Sequence, residues 1–64
     1  MMTRQEKNIL DLLALGLSSK EIASKLFISV HTVESHRKHL RKKFGVHSTA
    51  KLLVKAYQGD LVLA

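Results

Sequence analysis

Three glycines divide the 64-residue chain into short segments, and each lies where an apolar helical pattern ends. They are Gly16, Gly45 and Gly59. Glycine favours this place because a helix commonly ends on a residue with left-handed backbone dihedrals, which a side chain disfavours. Proline is absent, so no ring breaks a helical segment from within. The alternating apolar pattern of a strand does not occur, and we predict an all-α fold.

Hydroxyl residues mark the other end of each segment. The predicted N-cap residues are Thr3, Ser18, Ser29 and Ser48. Glu6 and Glu21 each lie three residues after the first two caps, which is the spacing of a capping box. Together these signals predict an all-α, four-helix bundle-like domain over residues 1–64. Its helices are expected at about 4–15, 19–26, 30–44 and 49–58.

Each predicted helix carries one apolar stripe that we expect to be buried. The predicted core residues are Ile9, Leu10, Leu13 and Leu17 in the first helix, Ile22, Ala23 and Leu26 in the second, Val33, Leu40 and Phe44 in the third, and Leu52, Leu53, Ala56 and Tyr57 in the fourth. Only residues 27–29 separate the second helix from the third, and Ala23 is small enough to let the two cross closely. The short turn and the small residue predict a helix-turn-helix, although a simple helical hairpin would show the same pattern.

Positive charge is concentrated in the third predicted helix. The chain has eleven Lys and Arg against five Asp and Glu, a formal net charge of +6. Such an excess favours an anionic partner, either nucleic acid or an acidic membrane surface. Within residues 30–44 a single acid, Glu34, opposes a set of basic residues: Arg37, Lys38, Arg41, Lys42 and Lys43. A helix of this length spans about 22 Å and fits the ~12 Å wide major groove of DNA.

Several classes of function are not expected from this sequence. Cysteine is absent, which excludes disulfides, zinc–thiolate sites and cysteine nucleophiles. No local carboxylate or thiol joins the four histidines in a metal-binding set, and no Ser-His-Asp arrangement is indicated. No apolar run approaches the ~20 residues of a membrane helix. We therefore expect a non-enzymatic, cytoplasmic domain with no cofactor, metal, small-molecule ligand or membrane contact.

Five short stretches resemble, in order and spacing, the C-terminal DNA-binding domain of LuxR-type (GerE-like) regulators. They are TRQE at 3–6, GLSSKEIA at 16–23, LFIS at 26–29, TVESH at 32–36 and KFGV at 43–46. The resemblance implies a bacterial transcription-regulator domain, the C-terminal effector part of a longer response regulator. It also implies sequence-specific binding of double-stranded DNA as a homodimer on paired half-sites, with RNA polymerase as a candidate further partner.

The resemblance also implies residue roles, which carry over position by position. Base-contacting positions fall on Glu34, Ser35 and Lys38. Phosphate-contacting positions fall on Lys20, Ser29, Thr32, Arg41 and Lys42. Glu34 has alternatives, because its carboxylate can accept from cytosine N4, pair with Lys38 four residues later, or do both. In the free protein we expect the pair with Lys38.

The fourth predicted helix carries a second apolar line, with spacings of four and seven residues. This line consists of Ala50, Val54 and Leu61. Either the C-terminal tail folds back and covers it, or it forms the interface of the dimer that the resemblance implies. Two rival functions also stay open: a promoter-reading domain of a sigma factor, and a helical protein–protein interaction module with a basic face.

Overall fold

The computed structural model of the protein describes residues 2–57, which form four helices connected by short turns. The helices are α1 (Arg4–Ala14), α2 (Ser19–Leu26), α3 (Val30–Phe44) and α4 (Thr49–Ala56). No strand occurs within the described residues, so the predicted all-α, four-helix fold is confirmed. None of these helices is both long and apolar enough to cross a membrane.

All four predicted N-caps are confirmed. In the first capping box, the Glu6 N–H donates to Thr3 Oγ1 at 3.1 Å and the Thr3 N–H donates to Glu6 Oε1 at 2.9 Å. The box of Ser18 and Glu21 has the same two bonds, at 3.2 and 2.9 Å. Ser29 and Ser48 accept from the backbone N–H groups three residues later. The helix starts are therefore set locally, by side chains that satisfy otherwise unpaired donors.

The helix ends agree with the prediction in α2 and α3 and differ in α1 and α4. α1 ends at Ala14, one residue before the predicted end, because Leu15 is already the C-cap and Gly16 has a φ of +90°. α4 ends at Ala56, and the predicted end at residue 58 lies outside the described residues, as does Gly59. α2 ends at Leu26, as predicted, although no glycine follows it.

Phe27 is the C-cap of α2, and it has left-handed backbone dihedrals, with φ 58° and ψ 42°. The Phe27 side chain is 94% exposed, so no burial of the ring compensates this strained conformation. The end of the helix nevertheless has the hydrogen bond that is typical of a glycine C-cap, because the Ile28 N–H donates to the Ala23 carbonyl at 3.0 Å. Glycine spacing therefore gave no signal for the end of this helix.

α3 lies at the centre of the domain and packs against each of the other three helices. The buried core draws on all four helices and consists of Ile9, Leu10, Leu13, Ile22, Ala23, Val33, Leu40 and Leu52. The remaining predicted core residues lie at the edge of this cluster and are only partly buried: Leu17, Leu26, Phe44, Leu53, Ala56 and Tyr57. A core built around α3 fixes which side of that helix faces outward.

Polar contacts connect α1 to distant parts of the chain. Lys43 Nζ, near the end of α3, donates to Glu6 Oε1 at 3.0 Å, and the Glu6 side chain is 9% exposed. The Tyr57 hydroxyl, just after α4, donates to Asp11 Oδ1 at 2.7 Å. The Thr3 N–H and Lys43 lower the pKa of Glu6, because both stabilise its charged form.

The Glu6 carboxylate should stabilise the fold only when it is charged. Since its folded pKa lies below the ordinary value of 4.5, this stabilisation is present above pH 4.5 and is lost as the pH falls through the lowered pKa. We expect Glu6→Gln to lower the free energy of unfolding by about 1 kcal/mol at pH 7. Urea unfolding across pH should show the difference between wild type and variant shrinking as the pH falls below 4.5. A difference that does not change with pH would contradict this account.

Backbone strain at Phe27 predicts that Phe27→Gly stabilises the domain. The left-handed conformation costs a side-chain-bearing residue about 1–2 kcal/mol, and the extra entropy of an unfolded glycine offsets about half of that. The expected net gain in urea unfolding is about 0.5–1 kcal/mol. Gly45→Ala is the matched control, because a Cβ at Gly45 would meet no atom within 4 Å but the φ is +68°. It should destabilise the domain, and equal signs for the two variants would refute the strain argument.

Candidate nucleic-acid interface

Helices α2 and α3 form a helix-turn-helix that presents one face of α3 to solvent. The turn at residues 27–29 is closed by the bond from the Ile28 N–H to the Ala23 carbonyl, and Ser29 then caps α3. Ala23 is 5% exposed where the two helices meet, as its small size predicts. Val33 and Leu40 are fully buried on the inner face of α3. The residues on the opposite side of the helix, among them Glu34 and Lys38, therefore point away from the core.

The three predicted base-contacting residues lie on or beside this outward face. Glu34 and Lys38 are exposed one turn apart, whereas Ser35 is half-buried. Glu34 does not pair with Lys38 in this structure, so that prediction is wrong. Its carboxylate instead accepts a hydrogen bond from the Ser19 hydroxyl and lies 3.4 Å from Arg37 Nη1. The partner from α2 is 15 positions away in the sequence, and spacing along one helix gives no indication of it.

The predicted phosphate-contacting residues fall into separate groups. Lys20 is exposed near the start of α2. Ser29 and Thr32 lie together at the start of α3, with their hydroxyl oxygens 2.8 Å apart. Arg41 and Lys42 lie about two turns further along α3. The two ends of the exposed face of α3 thus carry different chemistry, hydroxyl groups at the start and cations toward the end.

A shallow cleft at the end of α3 brings the basic residues together with one that the sequence did not single out. It is lined by Lys38, Arg41, Lys42, Gly45, Val46 and His47. The left-handed turn at Gly45 reverses the chain and brings exposed His47 to the cations. The Val46 N–H donates to the Arg41 carbonyl at 2.9 Å and holds this turn. His47 is a further candidate for contact with an anion, and the glycine three residues after Lys42 was the signal for this turn.

Arg37 is the polar residue that sequence reasoning missed. It was counted only as one of the cations of the helix, yet its side chain is 22% exposed and bridges three helices. Nη1 donates to Ser19 Oγ on α2 at 2.6 Å, and Nη2 donates to Thr49 Oγ1 on α4 at 2.6 Å. Nε is buried without a hydrogen-bond partner among the described residues. Arg37 is therefore part of the packed structure rather than of the outward basic surface.

The exposed side of α4 carries two of the three residues predicted for a dimer interface. Ala50 and Val54 are exposed, and the Val54 residue is 59% accessible. They line a mainly apolar groove with Val46, Lys51 and Lys55. Leu61, the third predicted residue, lies outside the described residues. This groove is formed by α4 and the turn that precedes it, and Val46 in that turn also lines the basic cleft at the end of α3.

The histidines are not gathered into a metal-binding arrangement within residues 2–57. No group of three or more His, Cys, Asp or Glu side chains is close enough there to hold a metal ion. His36 is half-buried, whereas His31, His39 and His47 are exposed. The site is therefore described by hydroxyl groups, cations and the single carboxylate of Glu34.

Comparison with known proteins decides the family. The family model described as bacterial regulatory proteins, luxR family, matches residues 1–56. The chain belongs to the luxR family. The match covers all four helices and confirms the predicted family and its non-enzymatic character, since the matched region is the helix-turn-helix DNA-binding domain of transcription regulators.

Two relatives of this luxR-family domain are considerably longer proteins. The oxygen regulatory protein NreC of Staphylococcus aureus (strain JH9) is 42% identical over 62 residues, which are 97% of this chain and 29% of that protein. The crystal structure of ChrA, a response regulator in a heme-sensing two-component system, is similar with a TM-score of 0.89 and 38% identity. That match covers 95% of this chain and 30% of ChrA. The chain thus spans less than a third of each relative.

Proposed function

We propose that this domain binds double-stranded DNA in a sequence-specific manner and thereby regulates transcription, with the start of α3 in the major groove. The observation that carries the proposal is the composition of the outward face of α3. Lys38, Arg41 and Lys42 surround one cleft there, and the one acid on this helix, Glu34, is next to a compensating guanidinium. An anionic duplex therefore meets a net positive surface.

The arrangement of the side chains supports a division of roles along α3. Side chains near the start of a recognition helix contact base edges, whereas residues beyond them contact phosphates. We propose base contacts from Glu34, Ser35 and Lys38. The proposed phosphate contacts are those of Lys20, Ser29, Thr32, Arg41 and Lys42. The Ser29 hydroxyl caps α3 by accepting from the Thr32 N–H, and it shares a hydrogen bond with the Thr32 hydroxyl. A hydroxyl that accepts from an N–H can also donate to a phosphate oxygen.

The exposed groove on α4 supports pairing of two copies on DNA. We propose that Ala50 and Val54 of one copy pack against the same residues of a second, with Leu61 as an untested third contact. An interface this small gives weak association, so DNA with two half-sites would have to raise the local concentration.

The relatives extend well beyond this domain, and we propose that the chain is the C-terminal effector part of a longer regulator. Any contact with RNA polymerase stays a prediction.

Fluorescence anisotropy with a labelled duplex tests the proposed function. The duplex is first selected from a randomised library on the immobilised domain, because the preferred site is unknown. Affinity should fall steeply as salt concentration rises, since bound phosphates release counterions. Binding that is absent, or that does not depend on salt, would reject the proposal and leave a helical protein–protein interaction module as the alternative.

Two lysine variants should weaken binding in different ways. Lys20→Ala should weaken binding to every duplex alike and lower the salt slope by about one, because it removes one phosphate contact. Lys38→Ala should cost about 1–3 kcal/mol and relax the preference at one base pair. Lys25→Ala is the matched control on α2, since Lys25 lines a cleft against α1 with Asn8 and Asp11.

The three lysine variants differ in the result that would contradict each assignment. Salt titrations should give Lys25→Ala the wild-type slope. If Lys20→Ala also keeps that slope, Lys20 contacts no phosphate. If Lys38→Ala binds the selected duplex with unchanged affinity and selectivity, Lys38 does not contact a base.

Val54→Asp should abolish cooperative binding to a duplex with two half-sites and leave binding to a single half-site nearly unchanged. The new carboxylate would be desolvated in the apolar seam, whereas it stays solvated in the free domain. Leu15→Asp is the control, because Leu15 is an exposed apolar residue at the C-cap of α1, with 75% of its surface accessible. Gel-shift titrations on the two duplexes measure the cooperativity. Cooperativity that survives in Val54→Asp, or is lost equally in Leu15→Asp, would contradict this interface.

A further inference from the structure

A continuous set of hydrogen bonds leads from α4 through α3 and α2 to the Glu34 carboxylate. Thr49 Oγ1 and Ser19 Oγ accept from the two terminal nitrogens of Arg37, each at 2.6 Å. The Ser19 hydroxyl then donates its own proton to Glu34 Oε2. Donors and acceptors are consistent throughout, because Arg37 only donates and Glu34 only accepts, while the hydroxyl of Ser19 does both.

This set leaves Glu34 with one occupied and one available oxygen. Oε2 accepts from Ser19 and lies near Arg37. Within residues 2–57, no residue donates a hydrogen bond to Oε1. The side chain is 53% exposed, so the carboxylate reaches solvent at the outward face of α3. Without these bonds, a glutamate on an exposed helix face would sample several rotamers.

We propose that Ser19 and Arg37 are positioning residues that set the base preference of Glu34, an inference that rests on the proposed function. A carboxylate oxygen accepts from the exocyclic amino group of cytosine, but it meets only acceptors on guanine, at O6 and N7. The hydrogen bond to Oε2 restricts the side-chain rotamers of Glu34, so that Oε1 points in one direction. An acceptor in a fixed position distinguishes cytosine from guanine better than a mobile carboxylate does. The nearby guanidinium also lowers the electrostatic cost of holding a carboxylate close to DNA phosphates.

The planar guanidinium of Arg37 suits this role better than the single ammonium group of a lysine would. A guanidinium is planar and presents its donors in fixed directions, so Nη1 and Nη2 reach hydroxyls on two different helices at once. Thr49 on α4 accepts from Nη2, whereas Ser19 and Glu34 lie at Nη1. The positions of α2 and α4 relative to α3 therefore determine where the carboxylate points.

The experiment is selection from a randomised duplex library, with sequencing, on the full chain and its variants. Glu34→Ala identifies the base pair at which Glu34 acts. Ser19→Ala should lower the preference at that same base pair by about fivefold, the effect of losing one weak base contact, and leave the other positions unchanged. In the double variant the loss should equal that of Glu34→Ala alone, because Ser19 acts through Glu34. Ser19→Thr keeps the hydroxyl and should restore the preference.

Ser24→Ala is the control, since Ser24 is an exposed serine of the same helix outside the hydrogen-bonded set. It should select the wild-type sequences. Thermal unfolding of each variant separates a change in selectivity from a loss of fold.

The possible outcomes are distinct. Full preference in Ser19→Ala, an equal loss at all base pairs, or additive losses in the double variant would overturn the positioning role. No effect of Glu34→Ala at any base pair would overturn it as well. If the unmodified domain fails to bind duplex DNA in a salt-dependent manner, the proposed function itself has failed.

Discussion

The burial of one face of α3 is the constraint on which the rest of this structure depends. Val33 and Leu40 are fully buried against apolar side chains of the other three helices, and burying each such side chain stabilises the fold by about 1.5–3 kcal/mol. Rotating α3 about its axis would expose these residues and bury lysines. The core therefore determines which side of the helix faces outward, and a rigid outward face is what recognition of a groove requires.

Arg37 adds a polar constraint to this apolar one. The core fixes the rotation of α3, whereas the bonds from Arg37 to Ser19 and Thr49 connect α3 to the starts of α2 and α4. Because Glu34 takes part through Ser19, the same contacts that hold the helices together also orient a side chain proposed to touch a base. Structural and recognition roles meet in one small set of residues.

Local patterns predicted much of the fold, since caps and apolar spacing act over three or four residues. The capping box of Thr3 and Glu6 and the glycine turns at 16 and 45 are of this kind. Contacts between distant residues were not predictable in this way. The pairing of Glu34 with Ser19 depends on how α2 crosses α3, and the left-handed Phe27 is held by the turn that joins them.

The most direct test of the central claim, that the outward face of α3 meets DNA, is a titration of the isotope-labelled domain with the selected duplex, followed by NMR. Amide shifts should concentrate at Lys20, at the Ser29 cap and along the first three turns of α3. The amides of α1 from Asn8 to Ala14 should move little, because this part of α1 contributes Ile9, Leu10 and Leu13 to the core and none of the proposed contact residues. Shifts centred on α1, or spread evenly over the domain, would contradict this account.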